Sequence, residues 1–182
     1  MIQKGSLDEA LDASRNALKL SPQDAEANNN LGNILQMLGR LAEARIAYEQ
    51  AIANKPDYAE ACNNLGTLQK AMGNLEAAEE NFRAALKVNP AFAEAHNNLG
   101  VTLHALRRYV EAENNYRKAI ALNAKYADAY NNLGITLQQL GRLQEARTKH
   151  LLALELCPSS AGGNYNLGLV LQQLGGLGEA ET

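Results

Sequence analysis

Few side chains in this sequence combine the types and the spacing that chemistry needs. The reactive ones are His96, His104, His150, Cys62 and Cys157. The polar ones that recur are adjacent asparagines, Asn29-Asn30, Asn63-Asn64, Asn97-Asn98 and Asn131-Asn132, each pair 34 residues after the last. The reactive set does not converge as an active site would. No HExxH, paired CxxC, Walker loop, GxSxG or GxGxxG is present. Cys62 and His96 are also 34 residues apart. If that spacing is one helical repeat, they are on the order of 10 Å apart, whereas zinc ligands approach to about 2 Å. Cys62 and Cys157 are almost three such steps apart, beyond the roughly 7 Å Cα limit of a disulfide. No metal, cofactor or catalytic residue is therefore expected. The asparagines are a different matter. Each carboxamide offers two donors and an acceptor, so a row at a fixed step can clamp the main chain of an extended peptide.

The elements that would hold such a row follow from the same step. Leu31-Gly32 recurs as Leu65-Gly66, Leu99-Gly100, Leu133-Gly134 and Leu167-Gly168, with no insertion. Ala44, Ala78, Ala112, Ala146 and Ala180 form a second series, and Ala51, Ala85, Ala119 and Ala153 a third. Pro22, Pro56, Pro90 and Pro158 close units, with Ala124 as the break in that series. Each unit reads as two helices. Leu31, Ile34, Leu35 and Leu38 make the apolar stripe of the first, and Leu41, Ala44, Tyr48, Ala51 and Ile52 that of the second. Gly39, Gly73, Gly141 and Gly175 are placed to end first helices with a positive φ. Arg107 stands in that slot in the third unit, where it implies a strained turn costing about 1 kcal/mol. The mid-helix glycines predict a close approach, with Ala44, Ala78, Ala112 and Ala146 placed opposite them and the rings of Tyr48, Phe82 and Tyr116 between units. His150 takes the ring slot in the fourth unit, so it and His96 are read as packing residues.

These residues resemble the tetratricopeptide repeat (TPR) family over essentially the whole chain: the 34-residue step, the Leu-Gly pair, the small Ala, the aromatic four residues later and the closing Pro. One departure is the family's frequent Trp slot, held here by Asn28, Cys62, His96, Tyr130 and Asn164, which predicts looser joints. The resemblance implies an all-α TPR solenoid, a right-handed superhelix of antiparallel helix pairs whose first helices line a concave groove. The array spans 1–182, with full repeats at 25–58, 59–92, 93–126 and 127–160. Residues 1–24 are read mainly as a second helix, and 161–182 as a first helix and the start of a second. Both ends fall inside a unit, so the chain reads as a fragment whose complementary ends could associate head to tail.

Register puts a defined set of side chains on the groove. The candidate peptide-binding residues are Asn29, Asn30, Asn33, Asn63, Asn64, Lys70, Asn97, Asn98, His104, Asn131, Asn132 and Gln138. Asn before Leu-Gly also fits consensus scaffolding, so the ladder has a structural reading beside the ligand-binding one. Glu26, Glu60, Glu94 and Asp128 occupy a slot where TPR domains that grip acidic chaperone tails use Lys or Arg. Carboxylates there would repel such a tail. The long asparagine row is more similar to the TPR arm of O-linked N-acetylglucosamine transferases, which feeds extended segments to a separate catalytic domain.

Composition narrows the classes that remain. The 182 residues are 46% hydrophobic and 20% charged, and 17 Lys+Arg against 20 Asp+Glu give a net charge of -3. That balance, with no basic stripe, argues against a nucleic-acid binder. No apolar run spans a bilayer, and Met1 to Ala10 lacks a secretory core. Two cysteines lean towards a reducing compartment, so a cytoplasmic location is expected. The reading is a non-enzymatic interaction scaffold that binds an extended, neutral or basic peptide. The alternatives are the substrate-selecting arm of a glycosyltransferase-like enzyme and a head-to-tail assembly module.

Overall fold

The computed structural model describes residues 4–180, with side chains described for residues 6–175. Among the described residues the chain is helical throughout: α1 (Lys4–Leu20), α2 (Ala25–Met37), α3 (Leu41–Asn54), α4 (Ala59–Ala71), α5 (Leu75–Val88), α6 (Ala93–Ala105), α7 (Tyr109–Leu122), α8 (Ala127–Gln139), α9 (Leu143–Leu156) and α10 (Ala161–Ala180). It divides into two compact units, Met1–Pro90 and Ala91–Thr182. In the first, the hairpins α2–α3 and α4–α5 pack most extensively, and α1 and α3 lie against α2 and α4 respectively. In the second, α6–α7 and α8–α9 are the hairpins, α7 packs on α8, and α10 packs on α9.

The turn inside each hairpin shows why the chain reverses where it does. Gly39 has φ 74°, its N–H donates to Gln36, and the Arg40 N–H reaches back to Leu35. These two bonds satisfy carbonyls that the helix end would leave open. The same pair recurs around Gly73 and Gly141. Arg107 adopts φ 59° and makes the same bonds, to His104 from its own N–H and to Leu103 from that of Arg108. The hairpin thus imposes the left-handed turn on a side chain that opposes it by about 1 kcal/mol.

The core is a repeated lock between the two helices of a hairpin. Ala44, Ala51, Ala78, Ala85, Ala112, Ala119 and Ala146 are fully buried. A methyl group on Gly32 would lie 2.5 Å from the Tyr48 ring; on Gly66, Gly100 and Gly134 it would meet Phe82, Tyr116 and His150 at 2.8, 2.6 and 2.6 Å. The glycines therefore make room for the rings of their own hairpin, which lie nearer to them than the alanines do. Burying such a ring stabilises by up to about 3 kcal/mol, which outweighs the roughly 1 kcal/mol a helical Gly costs.

Gly175 corrects the expectation drawn from its three counterparts, because α10 runs through it to Ala180 without a turn. Among the described residues, no neighbouring atom comes within 4 Å of a methyl placed on Gly168. The side chain of Ala180, and Thr182 altogether, lie outside the described residues.

Candidate functional site

The asparagine pairs sit on first helices and divide their labour. Asn29, Asn63 and Asn97 are buried, at 5, 2 and 6% exposure, and Asn131 is half-buried. The expected ladder two residues wide thus turns one asparagine of each of these three pairs inwards. Their neighbours Asn64, Asn98 and Asn132 are half-buried, and Asn30 and Asn33 are exposed. The two sets meet across the joint between repeats. In the first unit Asn64 Nδ2 donates to Asn29 Oδ1 at 3.0 Å and to Asn33 Oδ1 at 3.3 Å. In the second, Asn132 Nδ2 donates to Asn97 Oδ1 at 3.2 Å and Asn166 Nδ2 to Asn131 Oδ1 at 3.1 Å. The buried member is held from behind as well: Tyr58 is hydrogen-bonded to Asn29, and Tyr126 to Asn97. Each rung contributes about 1 kcal/mol and fixes the plane of the half-buried carboxamide.

The other candidates are distributed unevenly. Lys70 is half-buried on α4, and burial lowers its pKa. Gln138 and His104 are half-buried on α8 and α6. His104 belongs to a network that sequence reasoning missed. Thr136 Oγ1 donates to the Asn132 carbonyl at 2.9 Å, so its lone pairs face His104 Nδ1, also at 2.9 Å. The hydroxyl of Tyr116 is bonded to the same Thr136. A hydroxyl has one proton to give, so His104 must carry its own proton on Nδ1. Burial lowers the His104 pKa below the usual 6.5. A threonine within an apolar stripe, in the slot of Ile34 and Leu68, was the available signal for this network.

Val101, His104, Tyr116, Asn132 and Ile135 line a cleft of about 160 Å³ on the first helices of the second unit. The corresponding positions of the first unit are polar: Asn33 Oδ1 and Gln36 Oε1 lie 2.7 and 3.0 Å from the Tyr48 hydroxyl, whose one proton goes to one of them, and burial pushes the pKa of that hydroxyl up to about 12. Near the start of α4 a wider depression is lined by Glu26, Asp57, Glu60 and Lys55, whose ammonium lies 4.8 Å from the Tyr58 ring centroid. A further cavity of about 260 Å³ adjoins Leu31 and Asn28, the residue that holds the family's frequent Trp slot in the first full repeat.

His96 and His150 are interior residues. His96 Nδ1 lies 3.1 Å from Asn115 Oδ1, and His150 Nδ1 3.0 Å from Asn131 Oδ1. An amide oxygen only accepts, so Nδ1 of His150 carries the proton, leaving Nε2 buried without a partner. Cys62 is buried and Cys157 exposed, both as free thiols. Among the described residues no three His, Cys, Asp or Glu side chains cluster to hold a metal, and no helix is long and apolar enough to cross a membrane.

Helical hairpins in tandem, each locked by a ring on a glycine and, within each unit, joined by asparagine rungs between first helices, define a repeat protein. The chain belongs to the tetratricopeptide repeat family: a family model of that description matches residues 2–59 and 63–113, and a second matches 115–148. Among solved structures it is similar to MamA, at 25% identity and a TM-score of 0.78 over 87% of this chain and 92% of that one. YrrB, described as a TPR protein with an unusual peptide-binding site, aligns at 22% identity and a TM-score of 0.74, covering 88% and 83%. The Cut9–Hcn1 assembly of the APC/C aligns at 19% and 0.83 over 92% of this chain and 34% of that one. No curated protein sequence matches the chain.

Proposed function

We propose that the protein is a non-catalytic interaction scaffold that binds an extended polypeptide segment along its first helices. The observation that carries this is the fixed orientation of Asn64 and Asn132, whose Nδ2 groups are committed to Asn29 and Asn97 in the joints. The Oδ1 atoms remain as acceptors for ligand main-chain N–H groups, held in place before binding, and such preorganisation lowers the entropy cost of association. An acceptor held in place on the first helices of each unit suits an extended main chain irrespective of its side chains. Exposed Glu26 and Glu60 in the first unit, with Glu94 and Asp128 in the second, favour a neutral or basic segment. YrrB, as described, shows that an array of this fold can carry a peptide-binding site.

The test is selection of binders from a random dodecapeptide library, followed by affinity measurement on an Asn64→Ala, Asn132→Ala variant shown by circular dichroism to fold. Losing one main-chain hydrogen bond at each site should weaken binding on the order of tenfold or more in total. Unchanged affinity in the folded variant would sink the main-chain clamp.

A further inference from the structure

We propose that the cleft between α6 and α8 is a specificity pocket for a branched aliphatic side chain, valine, leucine or isoleucine, of the bound segment. This rests on the peptide-binding reading and adds what that reading lacks, a side-chain preference.

Three observations converge. The cleft holds about 160 Å³, and an apolar cavity of about 150 Å³ in another protein accommodates benzene, so one aliphatic side chain fills it. Its walls carry no uncompensated charge: Val101 and Ile135 are aliphatic, and the Tyr116 hydroxyl and His104 Nδ1 are both directed to Thr136. In that tautomer His104 Nε2 is an acceptor, which disfavours carboxylates and amide oxygens. Asn132 belongs to both structures, a rung of the ladder and a wall of the cleft. A ligand residue whose N–H meets Asn132 Oδ1 therefore has its own side chain at the mouth. The aliphatic pair is also local, since the slots of Val101 and Ile135 hold Asn33 and Thr67 in the first unit.

The test is methyl NMR on the full chain, titrating N-acetyl-valine N-methylamide and its isostere N-acetyl-threonine N-methylamide. The valine probe should give saturable shifts at the Val101 and Ile135 methyls with Kd about millimolar, a reasonable bound for so small a ligand. The threonine probe should bind about tenfold more weakly, because its hydroxyl is desolvated. A Val101→Thr, Ile135→Thr variant should abolish the shifts at neighbouring methyls; Thr67 already occupies this slot, so the fold tolerates the change. No saturable shift, or equal binding of the threonine probe, overturns the pocket. Peptides that bind through the asparagines without these shifts would remove the pocket alone. Shifts without any selected peptide would keep the pocket and remove the clamp.

Discussion

Met1–Pro90 and Ala91–Thr182 use one frame and surface it differently. On the first helices, Asn33, Gln36, Thr67 and Lys70 of the first unit become Val101, His104, Ile135 and Gln138 in the second. The joints differ too. In the second unit Arg142 Nη1 donates to both carboxylate oxygens of buried Glu113, at 2.9 and 2.8 Å, while Arg117 bonds the same carboxylate from its own helix. Hydrogen bonds that Arg142 donates to Glu145 and Glu113 raise its pKa. In the first unit the equivalent positions are Arg45, paired with Glu49 at 3.9 Å, and Asn74, which donates to Gln69. Alanine, glycine and ring positions therefore maintain the hairpin, and the slots between them are free to set what the surface recognises and how firmly neighbours are tied.

Equal frames predict equal sensitivity at the locks. Tyr48→Ala and Tyr116→Ala each remove a ring seated on a glycine, and each should cost about 3–5 kcal/mol in urea melts. A silent member of the pair would break the equivalence. The joints should then separate the units. Glu113→Gln removes charge-assisted bonds from a buried carboxylate and should cost about 1–2 kcal/mol, discounted because both arginines are over a third exposed; Arg45→Ala should stay within about 0.5 kcal/mol.

Acid should separate them further, because all three histidines lie in the second unit. Burial holds His104 and His150 below 6.5 in the folded chain. Unfolding lets them bind protons, so their contribution is complete above pH 6.5 and is lost as the pH falls through the folded values. Urea melts followed at methyls of each unit, at pH 7.5 and 5.5, should show the second unit weakening more than the first. Equal weakening would remove the histidines from the explanation. A small gain is expected at Arg107→Gly, which relieves a positive φ and should raise stability by about 0.5–1 kcal/mol.

The period, the helix pairs and the strained turn at Arg107 were legible because each depends on local spacing. What was not legible depended on which of two equally spaced neighbours arrives. Ala44 and Tyr48 share one stripe, so periodicity alone could not say which meets Gly32. Adjacent asparagines differ by about 100° around a helix, and the next repeat decides that Asn29 is buried, bonded by Asn64, while Asn30 stays exposed. Gly175 carried the composition of a turn, yet α10 runs through it to Ala180. The Thr136 network needed three helices at once, with Tyr116 on α7, His104 on α6 and Thr136 on α8.

The asparagine rungs bear on how such arrays can be spliced. Each bond joins residues 35 positions apart, so its donor and acceptor are written in different hairpins. A graft that imports a whole hairpin brings one half of each of two rungs and relies on its hosts for the others. Where the incoming segment lacks the donor, the host's Asn29 or Asn97 is left as an interior amide short of a partner, at about 1–3 kcal/mol. The portable piece of this architecture is consequently the seam together with its two flanking first helices, since a cut anywhere between the two asparagines of a rung, in the hairpin turn or in the following loop, parts its donor from its acceptor.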